Sequence, residues 1–372
     1  MSANQRSSLK FPRSLTRNKE GHKSLPPAYL VGKGGEVMPW YNIRASQFGT
    51  MIVIGYAYPF INQGVLESWL PDLTYVYSFS YGITPQGDLI PLEDERLRQT
   101  AREHGVQVLM VLTPMDAEGH FSTELASQVL NNPAARQRLV NNIFAELEQK
   151  DYFGIDFDFE YVNRADRDLY TGLIRETAAR VQPAGFIVTA ALAPKTSTEQ
   201  PGLLYGGHDY AGIGSVADLV MLMTYEWGYA FGPPMAVAPL DKVRQVLDYA
   251  VTQIPRSKIL MGIPNYGYDW TLPFIEGVTE AENISNPEAL ARAAQVGATI
   301  QYDPVAQSPF YEYTDELGRE HIVWFEDARS LRAKLETVNE YDLAGIGFWT
   351  IMDPWPSGQE VLRELITPAK VE

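Results

Sequence analysis

Residues 153–161 read Phe153-Gly154-Ile155-Asp156-Phe157-Asp158-Phe159-Glu160-Tyr161, an alternation of apolar and acidic side chains. In an extended strand successive side chains point to opposite faces, so Asp156, Asp158 and Glu160 share one face and Ile155, Phe157 and Phe159 the other. Such alternation also marks the solvated side of an antiparallel sheet. Here the face opposite the acids is bulky enough to pack under helices, and Asp is depleted in strands. The acidic face is therefore read as an interior one. Three carboxylates stacked in a confined space cannot all ionise cheaply, which spreads their pKa values. Glu160, the outermost, is expected to hold a proton near neutral pH as a general acid, with Asp158 sharing or ceding one.

Runs of β-branched and aromatic residues recur on both sides of this stretch. They lie at 51–58, 74–81 and 106–112 before it, and at 186–192, 219–225, 258–265 and 343–350 after it. Amphipathic segments of helical period at 92–104, 122–149, 164–181 and 241–254 separate several of them. Eight strands, mostly followed by helices, predict an α/β fold, the (β/α)8 TIM barrel, whose core takes about 250 residues and whose active sites lie at the C-terminal mouth. The surplus falls in the connection 266–341, which holds strand-like pieces at 299–302, 309–314 and 320–324 and a turn from Asp315 to Gly318. We read a small α+β insertion between strands 7 and 8, assigned to residues 271–325, beside the barrel mouth.

The 372-residue chain is 45% hydrophobic and 20% charged, the balance of a soluble globular protein. It has no cysteine, which excludes disulfides, thiolate metal sites and a cysteine nucleophile. Residues 1–45 carry a net charge of +6 and the remainder −22, so a basic N-terminal arm or tail precedes an acidic body, residues 46–372, read as the catalytic barrel. That acidity opposes nucleic acid and anionic membranes. No apolar stretch reaches the roughly 18 residues of a membrane span, and no secretory h-region follows the basic start. His22, His104, His120, His208 and His321 are scattered without metal-ligand spacing, and phosphate-loop and serine-nucleophile motifs are missing. No metal and no cofactor is expected.

Four further segments accompany the acidic strand. They are Met223-Thr224-Tyr225-Glu226-Trp227-Gly228-Tyr229, Gly262-Ile263-Pro264-Asn265-Tyr266-Gly267-Tyr268-Asp269-Trp270, Val323-Trp324-Phe325-Glu326-Asp327-Ala328-Arg329 and Gly347-Phe348-Trp349. With Leu192-Ala193-Pro194-Lys195 and the acidic run, they resemble glycoside hydrolase family 18, the chitinase-like barrels, over about residues 50–368. The acidic run is similar to that family's D-x-x-D-x-D-x-E signature, with Phe153 in place of its first acid. The combination resembles most the spore-germination branch of cortical-fragment-lytic N-acetylglucosaminidases.

The resemblance implies a retaining glycosidase whose nucleophile is the substrate's own 2-acetamido oxygen, acting on β-linked N-acetylglucosamine in spore-cortex peptidoglycan or its fragments. It implies that Glu160 protonates the glycosidic oxygen and later activates water. Asp158 would orient the acetamide N–H, Asp156 would tune Asp158, and Tyr225 would bind the acetamide carbonyl. Trp349 would floor the sugar site. Glu226, where chitinases commonly carry Asp, would contact substrate or support the wall. Trp227, Tyr268 and Trp270 would line a sugar groove or pack the insertion onto the barrel. Two alternatives stay open: a chitinase or chitooligosaccharide hydrolase, and a non-catalytic, lectin-like barrel. The implied partner is an N-acetylglucosamine-containing glycan, and the implied location is the spore cortex or outer layers.

Overall fold

Eight parallel strands close on themselves in the computed structural model, which describes residues 47–116 and 118–371. The basic arm, residues 1–45, lies outside the described residues. The strands are Thr50–Ala57, Tyr75–Ile83, Gln107–Leu112, Gly154–Phe157, Ile187–Leu192, Leu219–Leu222, Ile259–Pro264 and Gly345–Trp349. Each pairs in parallel with the next, and the first pairs with both the second and the eighth, so the ring has no open edge. This is the (β/α)8 barrel expected from the alternating pattern, with helices packed between successive strands.

One expected helix is two. The segment 122–149 forms Thr123–Leu130 and Pro133–Lys150, because Pro133 cannot continue the first helix but suits the opening of the second. Asn132 caps that opening by accepting from the backbone N–H groups of Ala134 and Ala135.

Close approach of the strands requires glycine at defined points. A Cβ on Gly345 would stand 1.8 Å from the Ile52 carbonyl oxygen, across the seam where the eighth strand meets the first. On Gly154 it would stand 2.3 Å from the Ile187 oxygen.

Between the seventh and eighth barrel strands the chain builds a five-stranded antiparallel sheet. In spatial order its strands are Glu282–Ile284, Gly267–Thr271, Glu320–Trp324, Ser308–Thr314 and Gln301–Asp303. The helix Asn286–Val296 packs on it over a small core of Ile284, Ala289, Ala293, Tyr311, Val323 and Phe325. This is the α+β insertion, and it starts at Gly267 rather than at residue 271, because the chain leaving the seventh barrel strand runs directly into the antiparallel sheet. Its first strand carries Tyr268 and Trp270 straight out of the seventh barrel strand.

The seam predicts a result. Gly345→Ala should lower unfolding free energy by about 1–3 kcal/mol, the usual cost of overpacking. Chemical denaturation measures it; an unchanged midpoint would show that the first and eighth strands do not meet this closely.

Candidate active site

Asp156 lies in the fourth strand with no exposure, and its two hydrogen-bond donors come from other strands. Tyr56 Oη donates to Oδ2 at 2.8 Å and Thr189 Oγ1 to Oδ1 at 2.6 Å. Burial pushes its pKa up to about 6, while these two bonds oppose the rise. Asp158 follows at the strand end, its N–H bonded to the Leu112 carbonyl. Its Oδ1 is buried without a hydrogen-bond partner among the described residues. Desolvation, then the charges of Glu160 and Asp156, hold its pKa far above the usual carboxylate range. Glu160 is half-buried at the opening; desolvation first and the Glu226 charge second push it up to about 7.

The apolar partners face the other way. Ile155, Phe157 and Phe159 are fully buried, and Phe159 stacks on Tyr170 of the helix Arg167–Val181 at 5.2 Å. Packing outside and acids inside therefore come from one period-two pattern. Phe153, where the signature carries its first acid, stacks against Tyr75 at the foot of the second strand.

Past the sixth strand Tyr225 is buried close to the acids, whose charges, after desolvation, raise its pKa. Gly262 makes room for it, since a Cβ there would come within 2.9 Å of the Tyr225 ring. Glu226 has a left-handed backbone, φ 66°, a conformation uncommon outside glycine and enriched at functional sites. Its outer side is open to solvent, yet its carboxylate accepts from the hydroxyls of Tyr266 and Tyr268. Enclosure raises the Glu226 pKa and the two phenols counter it.

Trp349 ends the eighth strand, half-buried, with its ring held edge-on by Phe79 at 4.9 Å, Tyr56 at 5.5 Å and Tyr58 at 6.4 Å. A hollow of about 540 Å³ lined by Tyr58, Phe60, Phe79, Leu92, Glu93 and Met115 adjoins this aromatic cluster. Trp227 is half-buried beside the core, its backbone N–H bonded to the Val237 carbonyl.

Trp270 does not belong to the site surface. It has no exposure, and its indole N–H donates to the Gly232 carbonyl at 2.8 Å, so it ties the insertion to the 226–235 loop and has no face free for a sugar. Tyr268 is also buried and reaches the site only through its hydroxyl on Glu226.

Sequence reading missed Tyr56, Thr189, Tyr58, Phe79 and Tyr266. For Tyr56 and Tyr58 the signal was present, because residues 52, 54, 56 and 58 share one face of a strand. His208, one of the histidines without metal-ligand spacing, has a structural place instead. It is fully buried, with Nδ1 accepting from the Ala193 N–H at 2.8 Å and Nε2 donating to the Phe159 carbonyl at 2.9 Å. Those partners fix the neutral tautomer, and burial lowers its pKa to about 4. Lys195 Nζ donates to the His208 carbonyl, so both residues brace the loop between Asp158 and Glu160.

Comparison with known proteins places these features in a group. Residues 46–353 match the sequence profile of Glycosyl hydrolases family 18. The chain is 41% identical over 300 residues to the cortical fragment-lytic enzyme of Bacillus subtilis (strain 168), covering 81% of this chain and 69% of that one. The crystal structure of the spore cortex-lytic enzyme SleL of Bacillus megaterium QM B1551 superposes with a TM-score of 0.83 at 37% identity, over 88% of this chain and 76% of that one. A chitinase structure from Chromobacterium violaceum ATCC 12472 shares the fold, with a TM-score of 0.78 at 24% identity over 85% of this chain and 98% of that one.

The raised pKa of Glu160 has a stability consequence. A carboxylate whose folded pKa lies above its ordinary value favours folding while protonated in both states, and that contribution is lost as pH rises through the folded pKa, here about 7. Glu160→Gln should therefore melt at a higher temperature than the parent at about pH 8, with the gap closing toward about pH 4. An equal difference at both pH values would show that Glu160 ionises as an ordinary surface acid.

Proposed function

The chain belongs to glycosyl hydrolase family 18 and is a glycoside hydrolase related to spore cortex-lytic enzymes, and from that premise we propose that it cleaves β-linked N-acetylglucosamine in spore-cortex peptidoglycan or its fragments, with retention, by substrate-assisted catalysis. The observation that carries this reading is the acid ladder. A buried Asp158 oxygen, without a hydrogen-bond partner among the described residues, stands between an Asp156 satisfied by Tyr56 and Thr189 and a Glu160 that keeps its proton near neutrality.

In the proposed reaction Glu160 gives its proton to the glycosidic oxygen as the bond to the anomeric carbon breaks. The acetamide carbonyl oxygen attacks that carbon from the opposite side, forming an oxazolinium ion. Asp158 Oδ1 accepts the acetamide N–H and offsets the positive charge. Asp156 beneath it sets where the shared proton resides, and the Tyr225 hydroxyl donates to the acetamide carbonyl. Glu160, now a carboxylate, takes a proton from water, which attacks the anomeric carbon and reopens the ring with the original configuration. Trp349 floors the distorted sugar, Glu226 shapes the rim, and Trp227 lines the wall beside it.

Residues 46–372 are the proposed catalytic unit and residues 1–45 an appended basic arm. The proposed place of action is the spore cortex or outer layers, supported by the relation to cortex-lytic enzymes. Among the described residues no helix is long and apolar enough to cross a membrane.

Mass analysis of products from purified cortex fragments and from N-acetylglucosamine oligomers tests the substrate, with Glu160→Gln as control. Cleavage confined to the chitin oligomers would reassign the enzyme, and binding without cleavage of either would make it a lectin. Oligomers with the acetamide replaced by a free amine should not be turned over; their hydrolysis would contradict the substrate's part in the mechanism. Because Glu160 acts protonated, kcat/KM should fall about tenfold per pH unit above its pKa of about 7. A profile flat to about pH 9 would remove Glu160 as the acid.

A further inference from the structure

Below the sugar floor runs a buried polar chain that the proposed reaction does not use. Asn265, at the end of the seventh strand, has its backbone N–H on the Trp349 carbonyl at 3.0 Å. Its side-chain Nδ2 donates to the carbonyls of Thr350 and Asp353, each at 3.0 Å. Its Oδ1 accepts from Asn286 Nδ2 at 3.2 Å, and Asn286 Oδ1 accepts from the Glu326 N–H at 2.9 Å. Lys334 Nζ then grips both Glu326 oxygens at 2.9 and 2.7 Å. Asn286, Glu326 and Lys334 have no exposure and Asn265 almost none.

The direction of this chain is fixed by its ends. Thr350 and Asp353 present carbonyls, which only accept, so Asn265 must turn its amide nitrogen toward them and its oxygen toward Asn286. Asn286 must then offer nitrogen to Asn265 and oxygen to the Glu326 N–H, which only donates. Both amides are satisfied in this one arrangement. A carboxylate at either position would place two acceptors face to face in a dry interior. Three of its bonds fall on the carbonyls of Trp349, Thr350 and Asp353, the backbone that carries the Trp349 ring. Asn286 opens the helix of the insertion, and Glu326 follows the insertion's Glu320–Trp324 strand.

We propose that Asn265 and Asn286 are positioning residues for Trp349, through which the insertion sets the height and tilt of the sugar floor. This rests on the reading of Trp349 as that floor. Phe79, Tyr56 and Tyr58 hold the ring from its edge, Asn265 holds the backbone at and just after Trp349, and Asn286 fixes Asn265. A displacement of about 1 Å in a group that orients substrate can cost about a hundredfold in rate. The insertion thus takes part in turnover as well as walling the groove.

The test is a double-mutant cycle on N-acetylglucosamine oligomers, with far-UV circular dichroism as the folding control. Asn286→Asp keeps the acceptor for the Glu326 N–H and removes the donor to Asn265. It should lower kcat by about 10- to 100-fold while leaving the alkaline limb of the pH profile, set by Glu160, in place. In a Trp349→Ala background the same substitution should cost less than about threefold more, because the group it positions is gone. Should Asn286→Asp not fold, Asn286→Ala, which removes the donor to Asn265 without adding a charge, enters the same cycle. Wild-type kinetics for the Asn286 variant, or equal losses in both backgrounds, would overturn the proposal. A Trp349→Ala enzyme with full turnover would overturn the floor reading and this inference together, whereas a large Trp349→Ala loss with additive Asn286 costs overturns this inference alone.

Discussion

Three carboxylates crowd one inner wall of a closed barrel, two of them shut off from water and the third half-buried, and the architecture around them answers that constraint. Asp156 is held by donors from the first and fifth strands, and the three side chains meet only because the ring is closed. The remaining strain is left in place at Asp158, whose pKa is raised by burial and then by the charges of Glu160 and Asp156, and at Glu160, whose pKa is raised by burial and then by the Glu226 charge. Stability given up at the acids is the usual companion of a site poised for proton transfer. Glycines at the strand contacts and stacked aromatics behind the acidic strand keep that wall from relaxing outward.

The parts legible in the sequence are those written in local periodicity. Period-two alternation separated Asp156, Asp158 and Glu160 from Ile155, Phe157 and Phe159, and the βα rhythm predicted all eight barrel strands. What periodicity does not carry is the identity of partners far along the chain. Tyr56 lies 100 residues from Asp156 and Thr189 33, and nothing local pairs them. For Trp270 two roles stood open, lining a sugar groove or packing the insertion onto the barrel, and the buried ring with its N–H on the Gly232 carbonyl has the second. The helix break at Pro133 was written in the chain and overridden by the length of the apolar pattern. The bracing role of His208 is not legible because a lone histidine in a loop has no periodic context that would pair it with Ala193 and Phe159.

The α+β insertion ties into the mouth at separate places. Tyr268, on its first strand, and Tyr266 just before it hold Glu226, whose charge contributes to keeping Glu160 protonated. Trp270 fixes the loop that follows Glu226, and Asn286 reaches the backbone of Trp349 through Asn265. The insertion thus bears on Glu160 through the Glu226 charge and on the Trp349 segment through Asn265, while neither Glu160 nor Trp349 belongs to it. The basic arm carries charge of the sign opposite to the body, and its composition alone sets it apart.

In the proposed reaction the acetamide of the substrate, steadied by Asp158 and Tyr225, takes the place of a protein nucleophile. Proton NMR of the first reducing sugar released from an N-acetylglucosamine oligomer, recorded before mutarotation, tests this. The β-anomer is expected as the initial product, since two successive displacements restore configuration. The α-anomer would mean a single displacement by water, and would contradict the role assigned to the acid ladder.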